Sequence, residues 1–392
     1  MAATSGIWQW FDPRTAPFIP IPEVSTDPNS GTTGGILPVF LYKNSDGDID
    51  KIIAPDLTYN PYLGVGAHAR LFSFPSADEQ WYGVLKFKEH IERGADFSYG
   101  TGLTRATDWS EAAELLYDRS ATYRFFGVGN HSPISAQTNY TNEQIEMNGT
   151  LGWNLSHEVQ LGGTVRPRIV EIEPGAITSL PYIQQGFPTL PGIGDEHELF
   201  NRVFISYDTR DSASLPTQGS QIVASLGGAA HDFLSTMSYT VVAFDARHYE
   251  PVSDRVIVAA HAALRYIPDE KNLPFWDLSS LGGDQSVSGE EQPLRGFGEG
   301  RFVDRNLSSA GLEVRTRVFH LDLFSTEISG EVAPFVDVGK VFHSASQSPV
   351  SDLHAVGGVG LRAIAKPYIV GYVDVGYGSE GAAVFSGINY PF

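Results

Sequence analysis

Leu294-Arg295-Gly296-Phe297 stands in the stretch "EEQPLRGFGEGRF", where glycines at 296, 298 and 300 follow Arg295. Glycine lets a backbone turn sharply or approach another surface closely. Arginine carries a planar fork of donors that stays charged and matches a carboxylate in two places at once. Together these residues predict a loop tip pushed into a confined space that holds an acid. Two acids stand in suitable surroundings. In "PFVDVGK", Asp337 shares a strand face with Phe335 and Gly339, opposite Val336 and Val338. In "GLEVR", Glu313 opposes Leu312 and Val314. If the aliphatic residues face lipid, both carboxylates face the other way, toward the arginine.

Other candidate chemistry is weaker. "KNSDGDIDK" (43–51) spaces oxygen ligands around a glycine but lacks the later bidentate glutamate of a calcium loop, so an Asp-Gly hairpin turn accounts for it. "GDEHELF" (194–200) gathers acids around His197 without a second histidine at ligand spacing, so no metal is expected. No Gly-x-Ser-x-Gly elbow, phosphate loop or dinucleotide fingerprint occurs. The expectation is a chain that is not an enzyme and needs no cofactor.

The elements that must position Arg295 and its acids read as strands. Segments of about ten residues alternate in polarity between Gly, Asp, Asn and Pro clusters. In "SYTVVAFDARHY" (238–249), Tyr239, Val241, Ala243, Asp245 and Arg247 take one face, and Val242, Phe244, Ala246 and His248 the other. Helical periodicity is confined to "WSEAAELLYD" (109–118). Many strands without crossover helices imply an antiparallel meander, either a sandwich or a closed barrel. The ending "GAAVFSGINYPF" favours the barrel: Ala382, Val384, Ile388, Tyr390 and Phe392 form one apolar row with aromatics at its end.

Composition agrees with a membrane barrel. Hydrophobic residues make up 42% and charged residues only 18% of 392 residues, below the roughly 25% charged usual for soluble domains. A net charge of −20 argues against nucleic acid as a partner, since its phosphates would be repelled. With no cysteine, disulfides and thiolate metal sites are excluded. No run reaches the length of an apolar membrane helix, and "MAATSGIWQWFDP" has neither the basic nor the apolar region of a signal peptide. A mature exported form is expected.

Four segments in order resemble the BamA/TamA-type outer-membrane assembly superfamily, the bacterial surface antigen family. Leu294-Arg295-Gly296-Phe297 resembles the family's Val/Ile-Arg-Gly-Phe/Tyr loop tip. Phe335-Val336-Asp337-Val338-Gly339 is similar to its Phe-x-Asp-x-Gly strand, and Gly311-Leu312-Glu313-Val314-Arg315 to the strand before it. "YDTRDSASLPTQGS" (207–220) resembles an Asp-x-Arg-Asp hairpin of the same family. The resemblance is strongest over 198–392, with "RFFGVGN" (124–130) similar to a segment of shorter members. It implies an all-β, transmembrane antiparallel β-barrel of sixteen strands with a long loop folded into the lumen. There Arg295, Gly296 and Phe297 would lock against Asp337, Glu313, Phe335 and Gly339. Tyr390 and Phe392 would form the C-terminal insertion signal read by the barrel assembly machinery.

The domain reading is an extended periplasmic lead-in at 1–35, Pro/Gly/Thr-rich, followed by the barrel at 36–392. Family members that gather substrates carry periplasmic domains before the barrel, and the lead-in is too short for one. A short member is expected, placed in the bacterial outer membrane among its lipids. The implied role is insertion of membrane proteins or translocation of polypeptides, with client polypeptides or partner membrane proteins. A passive pore, a barrel anchoring a partner complex and a role in lipid handling stay open beside it.

Overall fold

The computed structural model describes residues 18–45, 49–231, 233–286, 290–323, 326–365, 369–388 and 390–392. Alternating segments form strands throughout, because a residue exposed on one face and buried on the next is satisfied by a pleated sheet. β1 (Ile19–Asp27) and β2 (Gly31–Lys43) make the first hairpin. β3 (Ile49–Ile53) and β4 (Asp56–Asn60) share one position between β2 and β5 (Gly64–Ser76). Next come β6 (Glu79–Lys88), β7 (Arg93–Thr101), β8 (Trp109–Phe125), β9 (Thr138–Asn154) and β10 (Val159–Pro174). β11 (Asp195–Asp208), β12 (Gly219–Ala229), β13 (Ser238–Ser253) and β14 (Val256–Lys271) continue the order.

After β14 the chain leaves the sheet. β15 (Ser279–Leu281), β16 (Glu291–Gln292) and β17 (Phe302–Asp304) form a small sheet of their own within the connection 272–305. The main sheet resumes with β18 (Asn306–Leu323), β19 (Thr326–Phe342), β20 (His354–Ala365), β21 (Ile369–Gly378) and β22 (Gly381–Ile388). β18 pairs directly with β14, so the connection is an insertion between neighbouring strands. Every described pairing in the main sheet is antiparallel. Its nineteen strands among the described residues fill eighteen positions, not the sixteen expected. β1 pairs with β2 along nine residues and with β22 at one, Thr26↔Val384.

Burial is inverted relative to a soluble protein. Leu85, Phe87, Ile145, Met147, Val203, Val336 and Leu361 are among many large apolar side chains exposed on one face. The opposite face buries Arg166, Glu198, Arg265, Glu313, Arg315 and Asp374. An apolar band of this extent is incompatible with water and suits lipid.

Three sequence expectations need correction. Residues 109–118 are strand, not helix: β8 pairs with β9 along its length and with β7 over Glu111–Arg119, and that pairing overrides the helix-forming Glu, Ala and Leu. Pairing begins at Ile19, within the stretch read as lead-in, and residues 1–17 lie outside the described residues. Consequently the sheet begins at Ile19 rather than at residue 36, and 36–42 pairs with β1, β3 and β4 rather than with β22. The Asp-Gly segment at 43–51 joins β2 to β3 as a hairpin, with 46–48 outside the described residues.

The register predicts a specific crosslink. The chain has no cysteine, so Thr26→Cys with Val384→Cys should form one disulfide under oxidation, seen as a mobility change on a non-reducing gel. Val39→Cys with Val384→Cys should not. The reverse result would show that β2, not β1, meets β22.

Candidate functional site

Arg295 enters the structure from the connection 272–305 and is 0% exposed. Its Nε and one Nη donate to the two oxygens of Asp337, both at 2.8 Å, in the forked geometry that guanidinium and carboxylate share. The other Nη donates to Asp374 Oδ2 at 2.9 Å and to Glu313. The Arg295 backbone N–H also donates to Asp337, at 3.3 Å. Beneath the guanidinium lies the Phe335 ring, 3.6 Å away. β18, β19 and β21 each contribute one acid, because alternation turns Glu313, Asp337 and Asp374 to the same inner face.

The acids recruit two further arginines. Arg315 donates to Glu313 at 2.9 Å, and Arg362 donates to Glu313 at 3.2 Å and to both oxygens of Asp374. Three guanidiniums therefore contact three carboxylates, all buried. Glu331 of β19 is also buried, and its carboxylate accepts no hydrogen bond among the described residues and stands outside this contact network. Removing such charges from water is unfavourable unless each is paired and hydrogen-bonded.

Glycine acts here through close approach. A Cβ on Gly296 would meet Gly378 N at 2.7 Å, and one on Gly376 would lie 1.8 Å from the Arg295 carbonyl oxygen. The chain turns at the tip itself, where the Phe297 N–H donates to the Leu294 carbonyl at 3.0 Å, while of the three glycines only Gly300 takes a positive φ, +64°. Phe297 is buried with Leu281, Leu294, Phe302, Leu307, Phe335, Val341 and Val356, so the tip is held by packing as well as by charge. Leu281 lies 3.0 Å from the Cβ position of Gly339, which leaves room for it.

All seven residues expected around the loop tip meet at this site. Asp374, Arg315 and Arg362 were missed. Asp374 had a legible signal: "YVDVG" (372–376) repeats the pattern of "FVDVG" (335–339). The two C-terminal residues do not continue the outer apolar row. Phe392 is buried and stacked on His261 at 5.1 Å, while Tyr390 lies over Arg315 at 3.8 Å. The chain leaves the sheet after Ile388, and these rings find apolar and cationic partners on the inner face.

A second cluster holds the other part of the connection. Arg168 donates to Glu198 at 2.8 Å and Asp277 at 2.9 Å, and Arg166 donates to Glu290 at 2.9 Å. Tyr239 donates to Glu198 at 2.6 Å. Sequence reasoning passed over Glu198 inside "GDEHELF"; its neighbour His197 is exposed and forms no metal site with it. Among the described residues, Glu143, Glu171 and Glu173 approach one another closely enough for a cation, but Arg119 already holds two of them. In the Asp-x-Arg-Asp hairpin, Arg210 is bonded to Asp208 and Asp211 caps Thr217, which is turn chemistry.

An all-antiparallel sheet with a lipid-compatible outer face and a charged inner face that receives an inserted loop defines the outer-membrane β-barrel class. Residues 90–365 match the Omp85 superfamily domain, and the chain belongs to that superfamily. Among solved structures it is similar to BamA from Haemophilus ducreyi lacking POTRA domains 1–3. That match has 16% identity and a TM-score of 0.54, and covers 95% of this chain and 74% of that one. It is also similar to CdiB from Escherichia coli, at 12% identity and a TM-score of 0.50, covering 95% of this chain and 62% of that one. These likenesses establish the fold. No curated protein shows a significant match.

Two substitution tests follow from the geometry. Arg295→Ala and Asp337→Ala should each lower unfolding stability in detergent by about 3–5 kcal/mol, the usual effect of stranding one partner of a buried pair. The double variant should recover part of the loss, because charge balance returns; additive losses would mean that the pair does not interact. Gly376→Ala should likewise lower the temperature at which the folded band disappears in a heat-modifiability gel. Gly357→Ala should leave it unchanged, since nothing lies within 4 Å of its Cβ position.

Proposed function

We propose that the sheet closes through β1 and β22 into a barrel in the bacterial outer membrane, and that this seam inserts or translocates polypeptides. The seam carries the reading. Among the described residues β1 and β22 share one register pair, whereas β21 and β22 share eight and β1 and β2 share nine. A poorly paired strand edge is a template for an incoming strand. The exposed apolar band supports a bilayer location, and Omp85 membership supports a role in outer-membrane assembly or transport.

In this reading the connection 272–305 is the lumenal loop, and Arg295, Asp337, Glu313 and Asp374 lock it. Tyr390 and Phe392 serve the chain's own insertion by the assembly machinery before their rings dock inside. The role is non-catalytic, and the partners are outer-membrane lipids and client polypeptides.

The deciding experiment places a single cysteine at Thr26 and supplies an unfolded β-barrel client carrying a cysteine in its last strand. Crosslinking in outer-membrane fractions is expected. Recovery of the chain as a detergent-independent soluble monomer would overturn the location. A steady, large conductance in planar bilayers without client crosslinking would favour a passive pore instead.

A further inference from the structure

The inner face of β10 to β14 holds a cavity of about 30 Å³, apart from the Arg295 network. Arg166, Arg202, Arg265, Thr164, Ser225 and Glu290 are among its lining residues. Its guanidiniums are not equally matched. Arg166 faces Glu290 at 2.9 Å and Glu198 at 3.4 Å. Arg202 and Arg265 pair with no carboxylate among the described residues. Arg202 donates to Thr164 Oγ1 at 3.2 Å, and Arg265 donates to the Asp277 carbonyl at 3.0 Å and Ser279 Oγ at 3.1 Å.

Three donors of these arginines find no acceptor among the described residues: Arg265 Nη2, Arg166 Nε and Arg202 Nε. Arg265 is 2% exposed and Arg166 7%. Glu146 approaches Arg166 Nε only to 4.0 Å. Buried donors of this kind need an acceptor, and guanidinium favours an oxyanion over a neutral one. The volume corresponds to about two water positions, enough for one oxyanion group, with any organic body it carries left outside the cavity.

We propose that this cavity binds a small oxyanion of the phosphate class, held by Arg202, Arg265 and Arg166. Glu290 lines the same space and already occupies part of Arg166, so it opposes the incoming anion. Anion binding and the seating of the connection 272–305 are thereby linked. The inference goes beyond the proposed seam function and does not depend on it, since binding is measured on the folded chain in detergent.

The test is isothermal titration of the folded full-length chain with inorganic phosphate at constant ionic strength. One saturable site is expected. Arg202→Gln should weaken it about tenfold or more, the effect of losing a hydrogen bond between charged partners. Glu290→Gln should tighten it. A parallel titration with glycerol phosphate separates the sources: binding of inorganic phosphate alone identifies a free anion, and binding of both identifies a phosphate ester head. A heat-modifiability gel confirms that each variant is folded. If Arg202→Gln does not fold, Arg202→Lys, which keeps the charge and loses the fork, should weaken binding instead. Absence of saturable heat, or equal affinity in the wild type and the folded Arg202 variant, would overturn the proposal.

Discussion

A guanidinium with no exposure to water constrains everything around it. Arg295 needs acceptors on several sides, and no single strand can supply them, since side chains on one face of a strand recur only every second residue. Three strands have to bring Glu313, Asp337 and Asp374 to one depth. That demand fixes the registers: Gly311 stands opposite Asp337, and Gly360 opposite Asp374. A shift of one residue on any of them would turn its acid outward into the apolar band. The glycines follow from the same requirement. With any side chain at Gly376 or Gly296, the loop backbone could not come close enough for the fork to reach Asp337.

The outer face sets the complementary limit. Its exposed leucines, valines and aromatics prevent the sheet from resting in water, while the inner charges prevent it from packing against a second apolar layer. An arrangement that satisfies both faces sets lipid against the outer one and a polar connection against the inner one. The connection 272–305 does this by inserting between β14 and β18 without interrupting their pairing.

Much of this was legible in the sequence, for definite reasons. Asp337 and Glu313 were legible through the resemblance of their strands to a family pattern, and because a lone acid flanked by aliphatic residues at period two has one polar direction to face. Asp374 has the same surroundings and escaped notice only because attention followed the single motif "FVDVG" and not its repeat at 372–376. Arg315 and Arg362 could not be found this way. Their roles depend on which strands lie side by side, and that is a property of register. The segment 109–118 misled for the converse reason: its Ala, Glu and Leu favour helix locally, but pairing with β7 over Glu111–Arg119 and with β9 from Trp109 to Phe125 decides the outcome. β1 was missed because Pro20 and Pro22 read as a coil signal, although proline is tolerated in a strand with so little pairing on one side.

The two charge clusters that hold the connection have opposite polarity. Toward β18, β19 and β21 the loop presents a cation, Arg295, and the strands present acids. Toward β10 the loop presents acids, Asp277 and Glu290, and the strand presents Arg166 and Arg168. Buried ion pairs of this kind add little net stability over apolar contacts, because desolvation offsets their attraction. Their value lies in what they exclude. A loop seated the other way round would place Arg295 against Arg166 and Arg168, and Asp277 against the carboxylates of Glu313 and Asp337. Like charges brought together at such depth cost far more than any apolar mismatch. The loop therefore has one seating, selected by charge, and Phe297 with its apolar neighbours packs around it.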